Sequence, residues 1–239
     1  MVRILILALI SVFITFTPAT SQTLSEKDIK RLALEAILEN PKIVMDAINI
    51  LRDRDEANKG LSQKQAYLDN KELLVMDPNA PVLGNPNGDI TIVEFFDYNC
   101  GYCKKAMPVM QALMENDNNL RVVYREFPIL SAGSVFASRA ALASRVQGKY
   151  LEFHEALMSA QKVDETSVIV IARKIGLDVN KLIIDMEHPA VSEHIQTSRD
   201  LADALQFTGT PSFVIGNELV GGYIPVEAMA KIIISEREG

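Results

Sequence analysis

The stretch that decides the fold is ITIVEFFDYNCGYC, residues 90–103, in which an apolar run leads directly into a Cys-x-x-Cys pair. The run Ile90–Phe96 predicts a buried strand, and residues 104–116 follow a helical pattern. A strand, a dithiol and a helix in this order place Cys100 at the helix N-cap and Cys103 at the third helical position. We therefore expect a redox-active dithiol.

The N-cap position explains why one of these thiols should be reactive. A side chain there accepts hydrogen bonds from first-turn N–H groups, here those of Tyr102 and Cys103. These donors and the positive end of the helix dipole favour a thiolate. An ordinary thiol of pKa about 8.5 is about 3% ionised at pH 7, whereas a pKa of about 5 makes it almost fully ionised. We expect Gly101 and Tyr102 to tune the pKa of Cys100.

Two other functions of the cysteine pair are less consistent with the sequence. A structural disulfide closing so short a loop would contribute only about 2 kcal/mol. A closed zinc site needs four ligands, and the three histidines lie far along the chain without metal-ligand spacing: His154, His188 and His194. We expect no metal and no cofactor beyond the Cys100–Cys103 disulfide.

The first 21 residues have the pattern of a secretory signal peptide. Arg3 precedes an uncharged stretch, residues 4–16, and small residues follow before Gln22. The stretch is too short to span a membrane. We expect cleavage before Gln22 and export to a bacterial periplasm, where an oxidised dithiol persists.

Composition limits the function classes that remain. Removing residues 1–21 leaves 218 of the 239 residues, enough for one large domain or a domain with an extension. Loss of Arg3 changes the formal charge from −7 to −8, and this charge is spread along the chain. This negative charge and its even spread argue against binding to nucleic acid or to anionic membranes.

Residues 22–72 predict an N-terminal helical arm. A capping-box pattern starts at Ser25, and Asn40-Pro41 ends one helix and begins another. Each helix carries an apolar stripe: Ile29, Leu32, Ala33, Ala36 and Ile37, then Val44, Ala47, Ile48 and Leu51. The pair could fold back on the main domain. We favour an oligomerisation arm, because the polar stretch of residues 52–71 separates the stripes from the core.

Residues 73–239 alternate between strand and helix patterns. The order of the patterns predicts an α/β fold with a helical insert at about residues 131–206. The predicted strands are Leu73–Val75, 90–98, 120–126 and a hairpin of Phe213–Ile215 with Leu219–Val220, and the last helix runs from Pro225 to about Glu236.

Two motifs resemble the DsbA-like family of exported thiol–disulfide oxidoreductases, which have a thioredoxin fold with a helical insertion. They are Val93–Cys103 and Gly209–Phe213, and the resemblance covers roughly residues 73–236. The arm and the Gly-Tyr dipeptide look closest to ScsC-type oligomeric members. Monomeric DsbA has Pro-His between its cysteines, whereas DsbC-type isomerases have Gly-Tyr. The resemblance therefore implies an isomerase or reductase rather than a strong oxidant.

The resemblance also assigns roles to individual residues. It implies that Cys100 is the nucleophile and Cys103 the resolving cysteine. Pro211 matches the cis-proline beside the dithiol, and Thr210 matches the residue that offers backbone hydrogen bonds to a substrate strand. Without the resemblance, an ordinary trans proline would be expected, because few X–Pro bonds are cis.

Glu94 matches the buried acid beneath the family's active site. Strand alternation places it on the face of Ile92 and Phe96, where burial should raise its pKa and let it accept the proton of Cys103. The alternative is an edge position at which Glu94 reaches water.

Four neighbouring polar residues are expected at the rim of the site: Asp97, Tyr98, Lys104 and Lys105. His154 is expected to be a packed or solvated residue.

The sequence thus predicts an exported thiol–disulfide oxidoreductase, an isomerase or reductase of unfolded or misfolded exported proteins. A membrane redox partner would reset its dithiol, and the arm would assemble a homo-oligomer. Two alternatives stay open. One is a monomeric DsbA-like dithiol oxidase, and the other is a non-catalytic Cu(I)-binding copper-tolerance protein, because soft thiolates suit Cu(I).

Overall fold

The computed structural model describes residues 24–238, so the predicted signal peptide lies outside the described residues. The described residues divide into two compact units, one that ends at Glu56 and one that begins at Ala57. Among the described residues, no helix combines the length and the apolar character that crossing a membrane requires.

The described residues form the helices and strands of an α/β fold. The strands are β1 Val82–Gly84, β2 Ile90–Phe96, β3 Leu120–Glu126, β4 Ser212–Ile215 and β5 Glu218–Gly221. The helices are α1 Glu26–Glu39, α2 Lys42–Met76, α3 Gly101–Asn116, α4 Ala132–Ser144, α5 Tyr150–Ser159, α6 Glu165–Lys174, α7 Val179–Asp185, α8 Pro189–Ala204 and α9 Val226–Glu238, with a 3-10 turn at Arg145–Gln147. The predicted insert corresponds to α4–α8.

The five strands form one sheet in the order β1-β3-β2-β4-β5. β2 and β3 are parallel, and the other pairs are antiparallel. β2 is therefore the central strand, and the alternative that Glu94 lies at a sheet edge is wrong. The dithiol follows the end of this central strand.

The two faces of β2 belong to different clusters of the core. Ile92 and Phe96 pack in a cluster that also contains Cys103 of α3. Val93 and Phe95 pack on the other face, in a cluster that includes Tyr67 and Leu74 of α2. Because side chains alternate along a strand, Glu94 shares the face of Ile92 and Phe96.

Two expectations near the start of the second unit are wrong. Residues 73–75 are not a strand but the last turn of α2, and β1 lies at Val82–Gly84, where no strand is expected from the sequence. Tyr67 and Leu74 lie seven residues apart on one face of α2, and both are buried. Their burial against the sheet continues the helix past a locally strand-like sequence.

The boundary between arm and domain also differs from the expected residue 72. The second compact unit begins at Ala57. Gln63 belongs to this unit because its side-chain amide donates a hydrogen bond to Leu205 O at 2.8 Å. The last third of the predicted arm therefore belongs to the unit that carries the dithiol.

α1 exposes its predicted apolar stripe. Ser25 caps this helix by accepting a hydrogen bond from the N–H of Asp28 at 3.2 Å, as its sequence predicts. No residue of α1 is buried in the single chain. Ile29, Leu32 and Ile37 are 55%, 42% and 40% exposed.

Candidate redox-active site

Cys100 and Cys103 lie at the start of α3 with very different access to solvent. Cys100 is the N-cap residue and is 8% exposed, whereas Cys103 is fully buried. Both are free thiols. Of the two sulfur atoms, only that of Cys100 is therefore open to attack a substrate.

The thiolate form of Cys100 is stabilised by several hydrogen-bond donors. The thiol of Cys103 contributes most and, with the Thr210 side chain and the N–H groups of Cys103 and Tyr102, outweighs burial and lowers the pKa of Cys100 to about 5. With Cys100 protonated, as it is in the structure, its side chain forms no N-cap hydrogen bond. Instead the Cys100 thiol donates to Thr210 O at 3.1 Å, because a protonated thiol needs an acceptor.

Cys103 is perturbed in the opposite direction. Burial raises its pKa most, and its hydrogen bond to Cys100 and the charge of Glu94 raise the pKa further. The same hydrogen bond that stabilises the Cys100 thiolate thus keeps Cys103 protonated. One thiol of the pair is prepared to attack, and the other holds its proton.

Glu94 lies in the apolar interior beneath the dithiol. Its side chain is 3% exposed, and its neighbours on the same face of β2, Ile92 and Phe96, are fully buried. Burial first, and the charge of Cys100 second, raise the pKa of Glu94 to about 8. The charge state of this carboxyl therefore depends on whether Cys100 is a thiolate.

The loop before β4 completes the site. The Thr210–Pro211 peptide bond is cis, as the resemblance implies. Thr210 O faces Cys100, and Pro211 O accepts a hydrogen bond from the N–H of Gly222 at 2.9 Å. The structure thus brings together Cys100, Cys103, Glu94, Thr210 and Pro211.

The dipeptide between the cysteines lies on the surface. A Cβ added at Gly101 would meet no atom within 4 Å, so the space around it does not require glycine. Tyr102 is 58% exposed, and its N–H is among the groups that lower the pKa of Cys100. The backbone of Tyr102 therefore acts on Cys100, while its ring faces outward.

Asp97 is not a rim residue, because its side chain is fully buried. Its carboxylate accepts the N–H of Asn99 at 2.7 Å and those of Ile129 and Leu130 at 2.9 and 3.0 Å. Asp97 therefore shapes the loop that leads into Cys100. The Asp-x-Asn spacing of an Asx turn is the sequence signal that could have identified it.

Tyr98 and His154 belong to the buried aromatic core. Tyr98 is fully buried rather than at the rim, and its hydroxyl lies 3.1 Å from Nδ1 of His154. The His154 ring stacks on Tyr124 with centroids 4.6 Å apart. Burial lowers the pKa of His154 to about 4, so this packed histidine is neutral at pH 7.

Asn99 and Lys104 tie the dithiol segment to the helical insert. The side-chain amide of Asn99 makes two 2.9 Å hydrogen bonds with the backbone of Val163. Lys104 Nζ donates to the carbonyls of Ala160 and Gln161. Sequence reasoning missed both anchors, because their partners lie more than fifty residues away.

The sequence model of the DSBA-like thioredoxin domain matches residues 91–233, which include every residue of this site. The chain belongs to the DSBA-like thioredoxin family. This match confirms the resemblance and the thioredoxin fold with its helical insertion.

Solved structures with this fold include proteins from two bacteria. A thioredoxin-like oxidoreductase from Silicibacter pomeroyi is 53% identical, with a TM-score of 0.70, and the match covers 71% of this chain and 99% of that one. A mutant of Proteus mirabilis ScsC with a linker deletion is 23% identical, with a TM-score of 0.69, and the match covers 93% of this chain and 99% of that one. The ScsC likeness concerns the fold alone.

Curated relatives of this DSBA-like chain include much longer proteins. The Na⁺/H⁺ antiporter NhaA 3 of Salinispora tropica is 26% identical over 167 residues, which is 68% of this chain but 26% of the antiporter. This chain therefore spans about a quarter of the length of that relative.

Proposed function

We propose that this chain is an exported thiol–disulfide oxidoreductase that reduces or isomerises disulfides in unfolded or misfolded proteins. The observation that carries the proposal is the opposite perturbation of its two thiols. The pKa of Cys100 is lowered to about 5, and that of Cys103 is raised. Thiol–disulfide exchange needs an accessible thiolate that attacks first and a second thiol that acts later.

The first step is attack by the Cys100 thiolate on a substrate disulfide. A bond forms between Cys100 Sγ and one substrate sulfur, the substrate S–S bond breaks, and the other substrate sulfur leaves as a thiolate. An extended substrate segment would run beside Thr210, a half-buried residue whose carbonyl oxygen faces Cys100. Backbone hydrogen bonds there would hold the segment in place.

The second step depends on loss of the Cys100 charge. In the mixed disulfide, Cys100 no longer raises the pKa of Glu94 by its charge or that of Cys103 by its hydrogen bond. Glu94 then ionises more readily and accepts the proton of Cys103. Cys103 attacks Cys100 Sγ, the bond between Cys100 and the substrate sulfur breaks, and a Cys100–Cys103 disulfide forms. The substrate sulfur leaves as a thiolate that takes up a proton from solvent.

The direction of exchange follows from which thiol resolves the intermediate. When a substrate thiol does so, the substrate disulfides are rearranged; when Cys103 does so, the substrate is reduced. The Gly-Tyr dipeptide and the exposed apolar stripe of α1 support an oligomeric isomerase or reductase over a monomeric oxidase. We further propose a periplasmic location, a membrane redox partner that resets the dithiol, and assembly through the arm.

Refolding of scrambled ribonuclease in a glutathione buffer tests this proposal. The full chain should restore ribonuclease activity, and Cys100→Ala should reduce the rate to the background without protein. Cys103→Ala should still attack substrates but accumulate mixed disulfides, visible after alkylation on a non-reducing gel. Undiminished rescue by Cys100→Ala would refute the assignment, and rapid oxidation of reduced ribonuclease without rescue of the scrambled form would favour the oxidase.

A further inference from the structure

Two exposed tyrosines lie beside the dithiol and contact each other. Of the six tyrosines in the chain, Tyr102 and Tyr223 are 58% and 36% exposed. The other four are buried: Tyr67, Tyr98, Tyr124 and Tyr150. The ring centroids of Tyr102 and Tyr223 are 6.2 Å apart, with an interplanar angle of 32°. This pair is not part of the core, so its rings are available to another molecule.

Both rings are fixed to the segments that hold the reactive sulfur. Tyr102 lies in the first turn of α3, between the two cysteines. Tyr223 follows Gly222, whose φ of +89° is in the region that favours glycine. The N–H of Gly222 donates to Pro211 O at 2.9 Å. The tyrosine pair is therefore held by the helix N-terminus on one side and by the proline loop on the other.

The two tyrosine rings can bind an apolar side chain of a substrate whose backbone is polar. Tyrosine rings offer an apolar face and a hydroxyl at the edge. The Nζ of Lys105 lies 4.9 Å from the centroid of the Tyr102 ring, a cation–π contact that orients this ring. Consecutive residues of an extended chain are about 3.3 Å apart. A substrate cysteine that reaches Cys100 therefore carries its neighbours to the edge of these rings.

We propose that Tyr102 and Tyr223 form a recognition surface for a large apolar or aromatic residue next to the substrate cysteine. This inference rests on the proposed function and names the substrates that the site prefers. Folded proteins bury such residues, whereas unfolded and misfolded ones expose them. The surface therefore directs Cys100 to disulfides in chains that have not reached their native fold.

The test uses two peptides that differ only in the residue before their single cysteine, phenylalanine in one and serine in the other. Each cysteine is in a mixed disulfide with thionitrobenzoate. The Cys100 thiolate attacks the peptide sulfur, and thionitrobenzoate leaves with the electron pair as a coloured thiolate. Cys103 then attacks Cys100, loses its proton and releases the peptide thiol. The dithiol supplies both electrons, and the rate is measured from the appearance of the coloured thionitrobenzoate thiolate.

The ratio of the two peptide rates is the readout, because a general loss of reactivity cancels in it. The reduced full chain should react about 2- to 10-fold faster with the phenylalanine peptide, the range expected for one aromatic contact. Tyr223→Ser should bring the ratio close to one, and Tyr223→Phe should preserve it. Ile184→Ser, at a residue of α7 that is 72% exposed, is the control and should keep the wild-type ratio.

Two results would overturn the inference. One is an equal rate for both peptides with the wild-type chain, and the other is a wild-type ratio in Tyr223→Ser. Failure of the proposed function gives a different result, since neither peptide would then release colour faster than with Cys100→Ala.

Discussion

The chemistry of the site rests on three groups whose protons are coupled. Cys103 donates to Cys100, Cys100 raises the pKa of Glu94, and Glu94 raises that of Cys103. Removing the charge of one group therefore changes the proton affinity of the other two. A single exchange step at Cys100 therefore prepares the next step at Cys103.

Replacing Glu94 with glutamine should stabilise the reduced protein, and more so at higher pH. The pKa of Glu94 is raised from 4.5 to about 8, so the folded state binds a proton that the unfolded state has released between these values. The free energy of unfolding of the wild-type protein therefore falls, through this carboxyl group, as pH rises from 4.5 to 8. Glutamine removes this loss, and Glu94→Gln should be more stable by about 2–4 kcal/mol at pH 8.

Urea unfolding of the reduced protein at pH 5 and pH 8 measures this difference. Glu115→Gln, at an exposed position of α3, is the matched control and should show little change at either pH. Equal stability of Glu94→Gln and wild type at pH 8 would mean that Glu94 ionises in the folded protein without cost. The proton role of Glu94 would then lose its basis.

Sequence reasoning succeeded where one short segment decides the outcome. The strand, the N-cap cysteine and the buried acid all lie within residues 90–103, and alternation along β2 is enough to place Glu94 on the face of Ile92 and Phe96. It failed for Asp97 and Tyr223. Their partners are the backbone of Ile129 and Leu130 and the ring of Tyr102, which only the folded chain brings close.

At the scale of elements, a buried arginine joins the end of α2 to β3. Arg125 is fully buried, and its guanidinium donates to the carbonyls of Leu73 and Leu74 and pairs with Asp77. The Nδ1 of His194 lies 3.7 Å from Asp77, a charge contact rather than a hydrogen bond. This cluster helps to explain why the strand expected at residues 73–75 is not formed: it holds residues 73–76 as the last turn of a helix.

Asp77→Asn should destabilise the protein by about 2–4 kcal/mol, because it leaves the buried Arg125 without its counter-charge. Burial opposes ionisation of Asp77, but His194, the N–H of Asn79 and Arg125 outweigh it and lower its pKa below 3.8. Burial also lowers the pKa of His194, but the carboxylates of Asp77 and Glu126 raise it above 6.5.

The directions of these two pKa shifts determine the pH range in which the cluster stabilises the protein. The Asp77 contribution is present above about pH 4 and is lost on acidification, whereas the His194 contribution is complete below about pH 6.5 and is lost as pH rises. The cost of Asp77→Asn, measured by urea unfolding, should therefore be largest between these values. Asp89→Asn removes an exposed pair with Arg237 and should have little effect on stability, because solvent screens the two charges. Equal costs for both variants would contradict the account.

At the scale of the whole molecule, the exposed stripe of α1 predicts assembly. A stripe of apolar residues gains its stabilisation when it is removed from water, and α1 buries none of its residues in the single chain. The helix alone is also too short to be stable in water. Because every copy of the chain carries this stripe, the stripe of a second copy can cover it.

Leu32→Asp combined with Ile37→Asp should therefore convert an oligomer into a monomer, as measured by light scattering on the chain from Gln22 onward. Both side chains are exposed in the single chain, so the charges disturb contacts between copies rather than the fold of one copy. Lys27→Asp, at an exposed polar position of α1, should keep the wild-type mass. A monomeric wild type, or an unchanged mass of the double variant, would remove the case for assembly through this stripe.

The rate of Cys100 alkylation as a function of pH tests the central claim most directly. Iodoacetamide reacts with the thiolate, and Cys103 is buried, so the reduced chain reports the ionisation of Cys100. The account predicts a rate that rises with a midpoint at about pH 5 and is already at its plateau at pH 7. A midpoint at about pH 8.5, the value of an ordinary thiol, would contradict it.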